Sequence, residues 1–72
     1  MARKKLRNRR IEKGLTQEQV ANMVNICRPF YCELEAGRKN CKFETWLKIA
    51  NVLEIGETDL VFYIKEGLEK GA

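Results

Sequence analysis

Apolar residues recur along this 72-residue chain at intervals of three and four rather than in alternation. That spacing predicts helices separated by short turns. Residues 3–13 make the first, with Leu6 and Arg10 on one face, Lys13 at the negative end of the helix dipole and Gly14 just past the end. Thr16-Gln17-Glu18-Gln19 is a capping-box signature, and Leu15 and Val20 supply its hydrophobic staple. The helix it opens runs to about Val24, turning Val20, Ala21 and Val24 inward. Asn25 suits the left-handed residue that ends it. A third helix starts near Cys27 or Arg28, because Pro29 fits only a first turn. It turns Tyr31 and Leu34 inward and ends at Ala36-Gly37. After a short basic loop, a fourth helix covers about Glu44 to Leu53, with Leu47 and Ala50 inward and Trp46 and Leu53 as further candidates. Residues 55–60 open a shorter fifth helix in which Leu60 and Ile64 pack. The expected architecture is an all-α, compact five-helix bundle spanning residues 1–65, followed by a flexible tail over 66–72.

Composition removes several chemistries. A 44% hydrophobic and 33% charged chain is a soluble globular domain, not a disordered segment. It has no His and no Ser, which excludes a Ser-His-Asp triad, a His-ligated metal and an imidazole acid or base. With one Asp and no Gly-rich phosphate loop, an enzyme is not expected, nor is a cofactor, a metal or a small-molecule ligand. Cys27, Cys32 and Cys41 are odd in number, and their spacing matches no common zinc motif, so they read as free, reduced thiols. The longest apolar run, Leu60 to Ile64, has five residues against the roughly 20 of a membrane span. No apolar stretch follows the first residues as a signal peptide requires. The expected compartment is the cytoplasm.

Charge is unevenly placed. Residues 1–42 hold 11 basic and four acidic side chains, whereas residues 43–72 hold three basic and six acidic ones. A basic half of this kind fits a polyanion, nucleic acid being the commonest. The alternative is a solvated helix face over Arg3 to Lys13.

The second and third helices are separated by about three residues, too few for an antiparallel hairpin, so they cross steeply and the first braces the second. This is helix-turn-helix geometry, and a projecting helix fits the major groove of B-DNA. The run from Leu6 to Leu60 resembles the Cro/cI-type (XRE) helix-turn-helix family of phage repressors and small bacterial regulators. The resemblance rests on Leu6 and Arg10, Gly14-Leu15-Thr16-Gln17-Glu18, Val20-Ala21, Ile26, Tyr31, Leu34-Glu35, Gly37-Arg38, Leu47-Lys48-Ile49-Ala50 and Leu53-Glu54-Ile55 with Asp59-Leu60. It implies a lambda-repressor-like fold, operator binding and a bacterial or phage-encoded regulator, a repressor in the simplest case. Cys27 stands where the family often has Ser or Thr, a poorer cap by about 1 kcal/mol.

Roles for the DNA face follow. Thr16 and Gln17 open the second helix, where Gln17 and free amides grip a phosphate or Gln17 only supports capping. Cys27, Arg28, Pro29, Cys32 and Glu33 form the outward edge of the third helix. Arg28 donates either to guanine or to a phosphate, and Pro29 touches a thymine methyl. Glu33 accepts from cytosine, or pairs with Arg28 or Lys39 when DNA is absent. Phe30 is either partial core or an apolar wall. Arg38, Lys39, Asn40 and Lys42 make a loop clamp on phosphates, with Lys4, Lys5, Arg7 and Arg9 adding longer-range attraction. The resemblance implies that Arg10 and Glu35 form a partly buried ion pair between the first and third helices. The expected partner is double-stranded DNA bound by a homodimer, whose surface would be the stretch from Val61 to Ile64 unless that stretch merely closes the core. The competing class is an antitoxin-like or adaptor module that uses the same scaffold to bind protein.

Overall fold

A computed structural model of the chain describes residues 2–68. Five helices follow one another, α1 (Lys4–Glu12), α2 (Gln17–Met23), α3 (Arg28–Ala36), α4 (Phe43–Leu53) and α5 (Glu57–Leu68), with no strand among the described residues. The all-α five-helix bundle expected from the spacing is the observed fold. Its core joins Leu6 of α1, Val20 and Ala21 of α2, Tyr31 and Leu34 of α3, Trp46, Ile49, Ala50 and Leu53 of α4, and Leu60 of α5.

One closure ends each of the first four helices. An N–H two or three residues past the helix reaches back five positions: Leu15 to Arg10 O, Ile26 to Ala21 O, Arg38 to Glu33 O and Ile55 to Ala50 O, at 2.8–3.2 Å. The residue before each donor is left-handed: Gly14 (φ 71°), Asn25 (φ 64°), Gly37 (φ 77°) and Glu54 (φ 56°). This is the closure in which an apolar residue usually follows the left-handed one and folds back onto the helix. Leu15, Ile26 and Ile55 do so and pack on the core. After α3 the corresponding residue is Arg38, which stays in solvent. The turn that shapes the helix end therefore delivers a cation to the surface instead of an apolar anchor to the core.

At α2, Thr16 Oγ1 accepts from Gln19 N at 3.1 Å while Gln19 Oε1 accepts from Thr16 N at 2.8 Å, completing the capping box. Cys27, at the N-cap of α3, makes no side-chain cap.

Two elements depart from expectation. With 12 residues, α5 is longer than α4 with 11, not a short closing turn. It continues past residue 65 because Glu66 is tied down: its Oε1 accepts from Lys5 N at 2.9 Å. The rest of the expected tail, residues 69–72, lies outside the described residues. On α4 the inward set is Trp46, Ile49, Ala50 and Leu53, with Leu47 only half-buried.

Candidate nucleic-acid interface

Only Leu6 is a fully buried apolar residue on α1, so the side chains three and four positions from it define the inner face. Three of those side chains, Arg3, Arg9 and Arg10, are basic, and each has an internal partner. Arg3, one residue before the helix, is 1% exposed. Its Nη1 donates to Leu34 O at 2.6 Å and to Lys39 O at 2.9 Å, its Nε donates to Ile64 O at 3.4 Å, and its guanidinium lies 5.0 Å from the Trp46 ring centroid. Burial lowers its pKa from the ordinary arginine value, opposed by the nearby Cys41 and Glu66. Arg9 Nε donates to Leu53 O at 2.8 Å and its Nη2 to Glu54 O at 3.0 Å, satisfying carbonyls that the end of α4 leaves open. Lys13 pairs with Glu54, whose carboxyl it holds below the usual range. Arg9 is thus a clamp between helices as well as a member of the basic run read from the sequence. The bases of α1 left on the solvent side are Lys4, Lys5 and Arg7.

Arg10 joins the first three helices. Its Nε donates to Glu35 Oε2 at 2.6 Å and its Nη1 to Leu15 O at 2.7 Å. Glu35 Oε1 accepts from Gln17 Nε2 at 3.1 Å, and Gln17 Oε1 accepts from Cys32 Sγ at 2.9 Å. Arg10, Gln17, Cys32 and Glu35 therefore form one network beneath α3. The buried Tyr31 hydroxyl beside it has no well-formed hydrogen bond, and burial with the Glu35 charge raises its ionisation well above the ordinary phenol range. The sequence assigns Gln17 to a phosphate or to capping alone. In the structure its amide donates to Glu35 and so orients the carboxylate that holds α1 to α3. Thr16 uses its oxygen as acceptor within the capping box, which leaves its hydroxyl hydrogen for a further acceptor.

Outward from this network, Cys27, Arg28 and Pro29 are exposed and Cys32 and Glu33 half-buried. Glu33 lies 3.6 Å from Arg38, not paired with Arg28 or Lys39. Closure of α3 explains the choice, since it folds Arg38 back toward Glu33 through the backbone bond between the same two residues. Phe30 is half-buried against the core.

In the α3–α4 loop, Arg38, Lys39, Asn40 and Lys42 are all exposed. Asn40 nevertheless has a structural role, because its Oδ1 accepts from Trp46 Nε1 at 2.7 Å and from Cys41 N at 2.9 Å. An indole N–H on a buried ring needs an acceptor, and Asn40 supplies it. With Phe30, Cys41, Lys42 and Thr45, Asn40 also lines an open depression of about 670 Å³. Cys41 is a half-buried free thiol whose pKa burial pushes up to about 11.

On α5, the run from Val61 to Ile64 divides. Tyr63 and Ile64 pack against the core, while Val61 and Phe62 are exposed at 46% and 55%. Lys5 Nζ lies 5.8 Å from the Phe62 ring. No helix among the described residues is long and apolar enough to cross a membrane.

Residues 6–60 match the family described as helix-turn-helix. The chain is 35% identical over 57 residues to the cryptic phage CTXphi transcriptional repressor RstR of Vibrio cholerae, covering 79% of this chain and 51% of that protein. It is 34% identical over 50 residues to the uncharacterized HTH-type transcriptional regulator YqaE of Bacillus subtilis (strain 168), covering 69% of this chain and 43% of that one. The chain thus spans about half the length of the curated relatives it matches. No solved structure gives a significant match.

Proposed function

This chain belongs to the helix-turn-helix family, in the Cro/cI type its sequence resembles, and on that premise we propose that it is a sequence-specific transcriptional regulator of double-stranded DNA, acting as a repressor. The observation that carries the reading is the division of α3 into two edges. Its inner edge is fixed by Tyr31, Leu34 and Glu35, and its outer edge presents exposed Cys27, Arg28 and Pro29 next to the cations of the α3–α4 loop. An arginine at the exposed start of such a helix has the reach to donate two bonds to guanine O6 and N7, while proline offers apolar contact to a thymine methyl. Cys32 and Glu33 border the same edge.

Arg38, Lys39 and Lys42 serve as phosphate contacts, joined by the Thr16 hydroxyl and the remaining amide donors of Asn40 and Gln17. Arg38 is drawn away from Glu33 by the stronger field of the phosphates. The same contacts release counterions, so affinity falls steeply as salt rises. Lys4, Lys5 and Arg7 add to the attraction at longer range. A second copy meets the first through Val61 and Phe62, giving a homodimer that reads a two-fold operator in the cytoplasm. No catalytic step is part of this function.

The test is selection of bound sites from a random duplex pool, followed by titration of the winning sequence across a salt series. Enrichment of a two-fold motif with a steep salt slope supports the reading. Equal recovery of all sequences removes the specificity, and affinity indifferent to salt removes the DNA contact altogether.

A further inference from the structure

We propose that Arg3, outside the DNA face, is the positioning residue for the α3–α4 loop, acting through a clamp made with Trp46 and Asn40. The inference rests on the loop being the phosphate-binding element proposed above. Residues 37–42 carry four polar side chains toward solvent, and a loop of this composition would ordinarily be mobile. Here its backbone is fixed at successive points. Gly37 and Arg38 are held by the closure onto Leu34 O and Glu33 O. The carbonyl of Lys39 accepts from Arg3 Nη1, and Asn40 is pinned by the Trp46 indole N–H. Arg3 stacks on the same indole, so one guanidinium and one ring hold consecutive residues of the loop from below.

A buried guanidinium is costly to desolvate, and ordinarily it is held by a carboxylate. Among the described residues Arg3 instead meets carbonyls: Leu34 O at the negative end of α3, Lys39 O in the loop and Ile64 O in α5. Only a planar fork reaches three such acceptors while lying on an aromatic face. The consequence is that the end of the recognition helix, the loop beyond it and α5 are set by a side chain 36 positions away from Lys39 in sequence. A mobile loop would pay the entropy of ordering at the moment of binding. A loop already held in place does not.

The experiment uses the full chain, Arg3→Lys and Trp46→Phe, titrated with mixed-sequence duplex DNA across a salt series, with amide hydrogen exchange measured on each free protein. Arg3→Lys keeps a cation over the ring but loses the fork. Trp46→Phe keeps a ring under Arg3 but withdraws the N–H from Asn40. Both variants are expected to fold, to exchange faster at Lys39, Asn40 and Cys41 than the parent while α2 and α3 keep their protection, and to lower the slope of log K against log salt by about 1–2 for one or two lost phosphates. Folded variants with parental loop protection and parental slope would overturn the clamp. So would loss of protection spread evenly over the molecule, which is general destabilisation. Should Arg3→Lys not fold, Trp46→Phe decides alone by the same readouts. A parent chain with no salt-dependent binding would instead overturn the DNA reading, and with it the loop's role.

Discussion

Arg10 and Glu35 face each other across the α1–α3 contact with Nε and Oε2 2.6 Å apart and only 11% and 4% of their side chains exposed. The carboxylate is held from two sides, since Gln17 donates to its other oxygen. The helix α3 is thus held to α1 by a charged pair and not by apolar packing alone. Glu35→Ala strands a buried guanidinium and releases Gln17, and we expect it to cost about 3–5 kcal/mol of stability. Replacing both partners by apolar residues should recover much of that loss. Urea unfolding of the single and double variants measures both quantities. A Glu35→Ala loss no larger than that of exposed Glu12→Ala would show that the pair contributes little.

Arg28 and Lys42 are both exposed cations of the proposed interface and should fail in different ways. Arg28→Ala is expected to lose about 1–3 kcal/mol on the preferred site and to tolerate base changes at one position. Lys42→Ala should weaken all sequences alike and lower the salt slope by about 1. Neither should shift the urea midpoint, because neither side chain is buried. Uniform weakening by Arg28→Ala would reassign it to a phosphate.

Most of the fold was legible because its punctuation is local. Thr16 and Gln19 cap each other within one turn, Pro29 fits only the first turn of a helix, and Asn25 and Gly37 mark left-handed ends. The fate of the basic side chains was not legible in the same way. Arg3, Arg7 and Arg9 look alike in a run of cations, yet Arg7 is exposed while the other two bind carbonyls on distant elements. A partial signal was present, for Arg3, Arg9 and Arg10 lie three or four positions from Leu6, the apolar residue that marks the inner face. The identity of their acceptors was beyond reach. Backbone carbonyls at helix ends carry no residue code, so nothing in the sequence names Leu34, Lys39, Leu53 or Glu54 as partners. The internal bonds of Asn40 and Gln17 were hidden for a related reason. Both have the character of polar surface groups, and only the tertiary fold brings the Trp46 indole and the Glu35 carboxylate to their amides.

Alkaline pH should destabilise the fold through two groups that it holds in their protonated forms. The Cys41 thiol is raised from 9.0 to about 11, and the Tyr31 hydroxyl is raised further by burial and the Glu35 charge. For an acid whose folded pKa lies above its unfolded value, the stabilisation is complete below the unfolded pKa and is lost as pH rises toward the folded one. For Cys41 that window runs from 9.0 to about 11. Urea midpoints should therefore fall within the window for the parent chain and fall less for Cys41→Ala. Tyr31→Phe should flatten the more alkaline part and be no less stable than the parent at neutral pH, because it removes a buried hydroxyl that has no well-formed hydrogen bond. Equal alkaline slopes in all three proteins would assign the loss to other groups.

At Cys27 stability and binding should separate. It sits at the N-cap of α3 in the extended conformation a cap requires (φ −79°, ψ 152°), but its side chain makes no cap bond. Pro29 occupies the second helical position and has no N–H, so the N–H of Phe30 is the donor a capping side chain would take. Cys27→Ser and Cys27→Asp both supply an oxygen in reach of that N–H and should raise stability by about 1 kcal/mol. On DNA the two must differ. Serine is neutral and adds a hydroxyl able to donate to phosphate, so affinity should hold or rise. Aspartate places a negative charge between Arg28 and the duplex, so affinity should fall even as the melting temperature climbs. Thermal melts paired with duplex titrations read both effects. If Cys27→Asp bound duplex DNA as well as Cys27→Ser, the start of α3 would not face the nucleic acid.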